Sequence, residues 1–228
     1  MQRLIAPLAV VFCLAAQSIH AQVCRGLPSF AAGMVGIGAN AYGAPGVTGA
    51  GASVNIGRPA SMFGGAQIGL QEVNLAANGY SDFLVTSMRL GVNAGYEISL
   101  GNGHRMSLCP IASFGHRFGP NYTSGSVSIR ESGNDFAGEL AFGGAIRLGS
   151  KADLVPSISV GYSGWNYKTM LVGGGSNEGN DTAFDVTFST GVVIASRFGI
   201  RPFVSISSQE NSDPSIGLAF RVQLGQKR

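Results

Sequence analysis

The residues able to do chemistry are few. Three cysteines and three histidines occur in 228 positions. Nucleophilic catalysis needs a nucleophile, a base within hydrogen-bond reach and a group that orients the base. His104 lies in Gly101-Asn102-Gly103-His104 and His116 precedes Arg117, and no His-x-Ser or Asp-x-His pair occurs around either. No Cys/His group has the spacing of a metal site. Gly36-x-Gly38-x-x-Ala41 matches a dinucleotide fingerprint in form, but that motif must open a helix, and the following Asn40-Ala41-Tyr42-Gly43-Ala44-Pro45-Gly46 cannot make one. Gly46, Gly49 and Gly51 lack the Lys-Ser/Thr pair of a phosphate loop. The expectation is therefore a non-enzyme with no metal and no cofactor. Asn121-Tyr122-Thr123 and Asn180-Asp181-Thr182 match glycosylation sequons and are read as plain loop residues.

Charge points the same way. The net charge is +3, too weak for a nucleic-acid partner. Charged residues make up 12% of the chain, about half the usual share. Glycine is abundant at 35 residues, yet 45% of the chain is hydrophobic, which does not fit disorder.

The positions of the charges are more telling than their number. From Leu84 to Leu100 one set reads Leu84, Thr86, Met88, Leu90, Val92, Ala94, Tyr96, Ile98, Leu100, and the alternate set holds Arg89 and Glu97 among Gly, Ser and Asn. Period-two alternation is the mark of a strand with two unlike faces. Phe136–Leu148 places Glu139 and Arg147 on the minor face, and Phe184–Ile194 places Asp185 there. Arg117 and Arg221 occupy the same register in their segments. Seventeen alternating residues exceed the five or six of an ordinary strand.

Ten strands are predicted, at about 30–40, 47–57, 60–73, 84–100, 105–117, 134–149, 154–167, 182–195, 200–208 and 214–224, with eight as the alternative count if the Gly-rich first strands pair differently. Short connections (Arg58-Pro59, 101–104, 150–153, 196–199) alternate with long polar ones at 118–133 and 169–181. Unequal ends of this kind are the signature of an outer-membrane barrel. Lipid offers no hydrogen bonds, so a spanning sheet must close on itself. The fold class expected is all-β, a closed antiparallel up-and-down transmembrane β-barrel. Its apolar face meets lipid, and Arg89, Glu97, Arg117, Glu139, Arg147, Asp185 and Arg221 point into the lumen.

Three further features agree. Arg3 followed by the apolar run Leu4–Ala16 and by small Ala21 reads as a secretory signal over residues 1–21. Thirteen apolar residues interrupted by Pro7 are short for a membrane helix. Residues 22–29 are then a periplasmic N-terminal segment and 30–228 the barrel. Cys24 and Cys109 remain after export, both map to the periplasmic half, and they are predicted to form a disulfide. Tyr80, Tyr96, Phe114, Phe118, Tyr162, Trp165 and Tyr167 lie near strand ends as candidates for aromatic girdles, with ordinary packing as the alternative.

Ser215-x-Gly217-x-x-Phe220-x-Val222 in the last strand resembles the assembly signal of outer-membrane β-barrel proteins. Over its mature length the chain resembles the small OmpA-like and OmpW-like porin-family group. That resemblance implies a Gram-negative outer membrane as the location, membrane lipid and the barrel-assembly machinery as partners, and an unknown extracellular ligand. Two functions stay open: a narrow porin-like channel for small solutes, and a closed structural or adhesive barrel acting through its outer loops. A soluble lipocalin-like carrier is a third reading, disfavoured because soluble barrels turn their apolar face inward.

Overall fold

The structure is a computed structural model that describes residue 24 and residues 34–57, 60–74, 84–100, 106–124, 127–172, 175–209 and 213–225. The expected signal at 1–21, Tyr80 and His104 lie outside these residues, as does the segment 22–29 apart from Cys24.

The described residues form strands and turns only. Ten strands run in chain order: β1 (Met34–Ala44), β2 (Val47–Gly57), β3 (Met62–Asn74), β4 (Leu84–Tyr96, resuming as Ile98–Leu100), β5 (Met106–Ser124), β6 (Val127–Gly144, resuming as Ile146–Arg147), β7 (Ala152–Val172), β8 (Ser176–Ile194), β9 (Phe198–Ser207) and β10 (Ser215–Leu224). Each pairs antiparallel with its chain neighbours. The ring closes where β1 meets β10, from Val35 opposite Leu224 to Gly43 opposite Ile216. A closed ring has no free edge to leave unpaired in lipid. The count of ten and the closed antiparallel order are as the alternation predicts.

The apolar residues face outward. Leu90, Val92, Phe114, Phe136, Leu140, Val160, Phe184, Phe188, Ile206, Ile216 and Phe220 are each 43–65% exposed. Leaving about half of each such side chain in water costs roughly 1 kcal/mol, so this surface belongs in a lipid phase. That rules out the soluble carrier, whose apolar lining would be inside. Phe136, Tyr162 and Phe184 form a continuous aromatic row on this face, with ring centroids 6.4 and 5.1 Å apart. Tyr96, Phe114 and Phe118 are outward and exposed as a girdle requires. Trp165 and Tyr167 are not part of it: Tyr167 covers Gly179 and sits opposite Gly133 on the inner face, two residues along from Trp165.

The structure corrects the expected ends of several strands. β1 runs four residues past its expected end and turns directly at Pro45-Gly46, where Gly46 has φ 72°. Gly43 and Ala44 are small and carry little alternation, so the sequence pattern stops short of them. The segments 118–133 and 169–181, expected as loops, are mostly strand. β5–β6 and β7–β8 continue past the last β4–β5 pair, Met88 opposite Phe118, and past the last β8–β9 pair, Asp185 opposite Ser207. They stand clear of the ring as a four-stranded sheet. Outside lipid both faces of a strand can be polar, so the alternation that marks the spanning part is lost there.

Candidate functional site

The pleat sends every second side chain inward, and glycine and small polar residues dominate that side. Inside the ring lies a cavity of about 360 Å³. Its lining includes Asn40, Ser53, Asn55, Gln67 and Asn93 together with four arginines, Arg89, Arg117, Arg201 and Arg221. Among the described residues no carboxylate lines it.

Arg89 shows how the sequence shapes this wall. It stands directly opposite Arg117 on β5, and the next inward position on that strand is Gly115. A Cβ at Gly115 would lie 2.7 Å from Arg89 Nη2. With hydrogen there instead, the guanidinium lies flat across β5 and reaches Asp135 on β6. Nε donates to Asp135 Oδ1 at 2.8 Å and to Oδ2 at 2.9 Å, and Nη2 donates to Oδ2. The pair hugs the wall and does not bridge the lumen. Arg221 is seated likewise, its Nε 2.5 Å from where a Cβ on Gly36 would be. The opposite wall is lined by hydroxyls: Ser163 donates to Asp185 Oδ2 at 3.0 Å, Thr187 bonds Ser205 at 2.9 Å and Ser157 bonds Ser189 at 2.6 Å.

The end of the ring that carries the short turns is closely packed. Cys24 is disulfide-bonded to Cys109, with Cα atoms 5.7 Å apart. Both are buried, packed with Ile111, Ala141 and the ring of Phe63. Cys109 faces inward on β5, so the bond fastens the N-terminal segment inside the barrel at residue 24. Close by, Glu97 is buried at the break in β4. It accepts from Ser107 Oγ at 2.9 Å and from the Ala60 amide at 3.3 Å, while its own amide donates to Ser61 O at 3.0 Å. These bonds fix the β2–β3 turn. Ala145, Val155 and Val193 make a second small cluster.

The remaining predicted residues are dispersed. Glu139 faces the lumen from β6, outside the cavity lining. Arg147 is exposed at the end of β6, opposite Asp153 and beside Lys151 and Ser196, apart from the cavity. Ser215 and Gly217 face inward, with the Phe203 ring over Gly217, and Phe220 and Val222 face outward. His116 is on the outer face, where Nδ1 meets Asn134 Oδ1 at 2.8 Å. Asn121 and Asn180 are exposed on the projecting sheet. Among the described residues no three His, Cys, Asp or Glu side chains converge as a metal would require. At the top of the sheet Lys168 Nζ pairs with Glu178 Oε1 at 2.8 Å, and this bond holds the Glu178 carboxyl below its ordinary value.

Two lumenal residues escaped the sequence reading. Asp135 is in register with Ala137 and Glu139, and Arg201 with Phe203 and Ser205. The same alternation that identified Arg221 contains both.

No protein-family description matches the chain, and no curated protein matches it in sequence. Solved structures do. The β domain of the Bordetella autotransporter BrkA superposes with a TM-score of 0.53 at 11% identity, covering 83% of this chain and 98% of that one. The translocator domain of autotransporter NalP from Neisseria meningitidis gives 0.47 at 10% identity, over 84% and 87%. Ail, the attachment invasion locus protein of Yersinia pestis, gives 0.37 at 14% identity, over 84% and 99%. Of these three only the first superposes well enough to bear on the fold, and identities this low speak to fold alone. The chain carries the fold of the bacterial outer-membrane β-barrels.

Proposed function

We propose that the protein is a non-enzymatic outer-membrane barrel whose lumen is a narrow channel for small polar solutes, with the N-terminal segment fastened in its periplasmic mouth. The observation that carries this reading is the polar cavity of about 360 Å³ inside a ring whose outside is apolar. The wall-hugging path of the Arg89–Asp135 pair supports it, because the ion pair leaves the axis clear. In this reading residues 1–21 direct export, the short turns face the periplasm, the tall hairpins face outward, and Ser215, Gly217, Phe220 and Val222 are presented to the assembly machinery. Refolded protein in planar bilayers is expected to give discrete conductance steps. Protein that is heat-modifiable and membrane-inserted but silent would overturn the channel reading.

A second reading, adhesion, is favoured by the projecting sheet. The outer edge of β8 from Ser176 to Ala183 lies beyond the last β8–β9 register pair, at Asp185. Replacing residues 120–131 and 168–180 by short Gly-Ser turns then abolishes binding of cells to a surface while the barrel still inserts. Unchanged binding would refute adhesion through this sheet.

A further inference from the structure

The outward face of β5–β8 changes character along one row. His116, Asn134, Asn166 and Asn180 stand directly opposite one another across the four strands, all in the lipid-facing register. A polar group buried in hydrocarbon without a partner is costly, so this row lies beyond the acyl chains. It borders a groove of about 480 Å³, and the Lys168–Glu178 pair stands one row further out on the same lining. Asn134 Oδ1 meets His116 Nδ1 at 2.8 Å, and Asn166 Oδ1 accepts from the Asn134 amide at 2.9 Å. With both oxygens engaged, the Nδ2 groups of Asn134 and Asn166 remain as donors, and the exposed Asn180 side chain offers both a donor and an acceptor.

Inward of this row is the aromatic line of Phe114, Phe136, Tyr162 and Phe184. Phe114 faces Phe136, whereas Tyr162 faces Gly138, two residues inward of Phe136, and Phe184 faces Tyr162. The Phe136 ring lies over Gly164, where a Cβ would be 2.5 Å from its Cζ. Rows climb outward around this ring. The row that leaves Arg201 on β9 passes through β10, β1, β2 and β3 to Arg89 and Arg117. It goes on to Gly179 on β8, six residues outward of Asp185, whose β9 partner is Ser207. The step back at Tyr162 offsets this climb and keeps the aromatic line near one depth, as a girdle at headgroup level requires. The polar row takes no such step. It stands two residues, about 7 Å along the strand, beyond Phe114 and Phe136. Beyond Tyr162 and Phe184 the gap is four residues, about 14 Å.

Apolar rings below and neutral amides above make one amphipathic surface. It is continuous with the lipid-facing wall of the barrel, and that continuity selects a lipid as its occupant. The headgroup chemistry follows from the side chains. Lys168 and Glu178 offset each other at 2.8 Å, so among the described lining residues a phosphate finds no unpaired Lys or Arg. Amides donate and accept, and so do hydroxyls. We propose that the outward groove on β5–β8 binds the sugar headgroup of a membrane glycolipid, whose acyl chains lie along Phe114, Phe136, Tyr162 and Phe184. The proposal goes beyond the channel reading and is independent of whether the lumen conducts.

The test places the protein in phosphatidylcholine nanodiscs that hold equal small amounts of diglucosyl diacylglycerol and phosphatidic acid. Native mass spectrometry then counts the lipids each barrel retains. The expected result is about tenfold enrichment of the glucolipid over phosphatidylcholine, the yield of roughly two net hydrogen bonds. Asn134→Leu/Asn166→Leu removes two donors from an exposed surface and should abolish the enrichment while the heat-modifiable band is unchanged. Asn180→Leu alone should lower it about threefold, and carries the test should the double variant fail to fold. Asn177→Leu, on the other face of the same sheet, should leave it intact. No enrichment, or enrichment that survives these groove variants, would overturn the site. Phosphatidic acid retained as strongly as the glucolipid would overturn the sugar class. Free maltose that binds in a sugar-free detergent and is lost in the double variant would assign the groove to a soluble sugar and overturn the lipid source.

Discussion

Reducing the Cys24–Cys109 bond is the perturbation with the largest calculable effect. The two residues are 85 apart in sequence. Closing a loop of that size removes chain entropy from the unfolded state, and the loop-closure relation gives about 4.6 kcal/mol at 25 °C, near the top of the 2–5 kcal/mol found on removing native disulfides. With a urea dependence of roughly 3 kcal/mol per molar for a chain this long, the midpoint falls by about 1.5 M. Urea unfolding in micelles, followed by loss of the compact heat-modifiable band, measures this in the oxidised and reduced protein. Cys24→Ala/Cys109→Ala separates the bond from any effect of reductant. The fastening has a functional side as well. If the barrel conducts as proposed, release of residue 24 is expected to raise single-channel conductance by freeing the mouth at the short-turn end, because Cys109 faces the lumen. Coincident unfolding curves with and without reductant would refute the stabilising role. Labelling of both thiols in the oxidised, denatured protein would refute the bond itself.

Three other outcomes follow from the geometry. Arg89→Met strands the Asp135 side chain, which is 17% exposed, and should cost about 1–3 kcal/mol. Arg89→Met/Asp135→Leu should recover much of that loss in a double-mutant unfolding cycle. The β8–β9 turn holds Ala195 at φ 52° and Ser196 at φ 54°, a conformation that suits Asn-Gly, so Ala195→Asn/Ser196→Gly should stabilise by about 1–2 kcal/mol in the same assay. A carboxyl whose pKa is lowered by folding stabilises above its unfolded pKa, and that contribution is lost as pH falls through the folded value. Glu178 therefore supports the β7–β8 hairpin at neutral pH and ceases to do so in acid. An NMR titration should place its carboxyl below the ordinary range in wild type and return it to that range in Lys168→Met.

Much of the architecture was legible wherever lipid imposes a two-faced strand. Leu84–Leu100 shows why: each second residue must be apolar enough for lipid and the others need not be, so the alternation of Leu90 and Val92 with Arg89, Gly91 and Asn93 states both the strand and its orientation. Where that constraint lapses, so does the signal. The projecting parts of β5–β8 meet water on both faces, so their sequence has the pattern of loops. At β1, Tyr42 can belong to a strand because its ring covers Gly49, a contact between strands that one segment does not display.

By itself the sequence determined the class of the molecule, the inward set of most charges, and the cysteine pair, because each depends on local period or on composition. The tertiary structure alone decided which charges meet. Arg89 and Asp135 are 46 residues apart and are joined only because Gly115 on the strand between them has no side chain. Arg201 and Arg89 share one row only because the sheet closes and its rows climb around the ring. Period two tells a residue which face it occupies, whereas height and partner are set by the shear of the closed barrel, a property that no single strand contains.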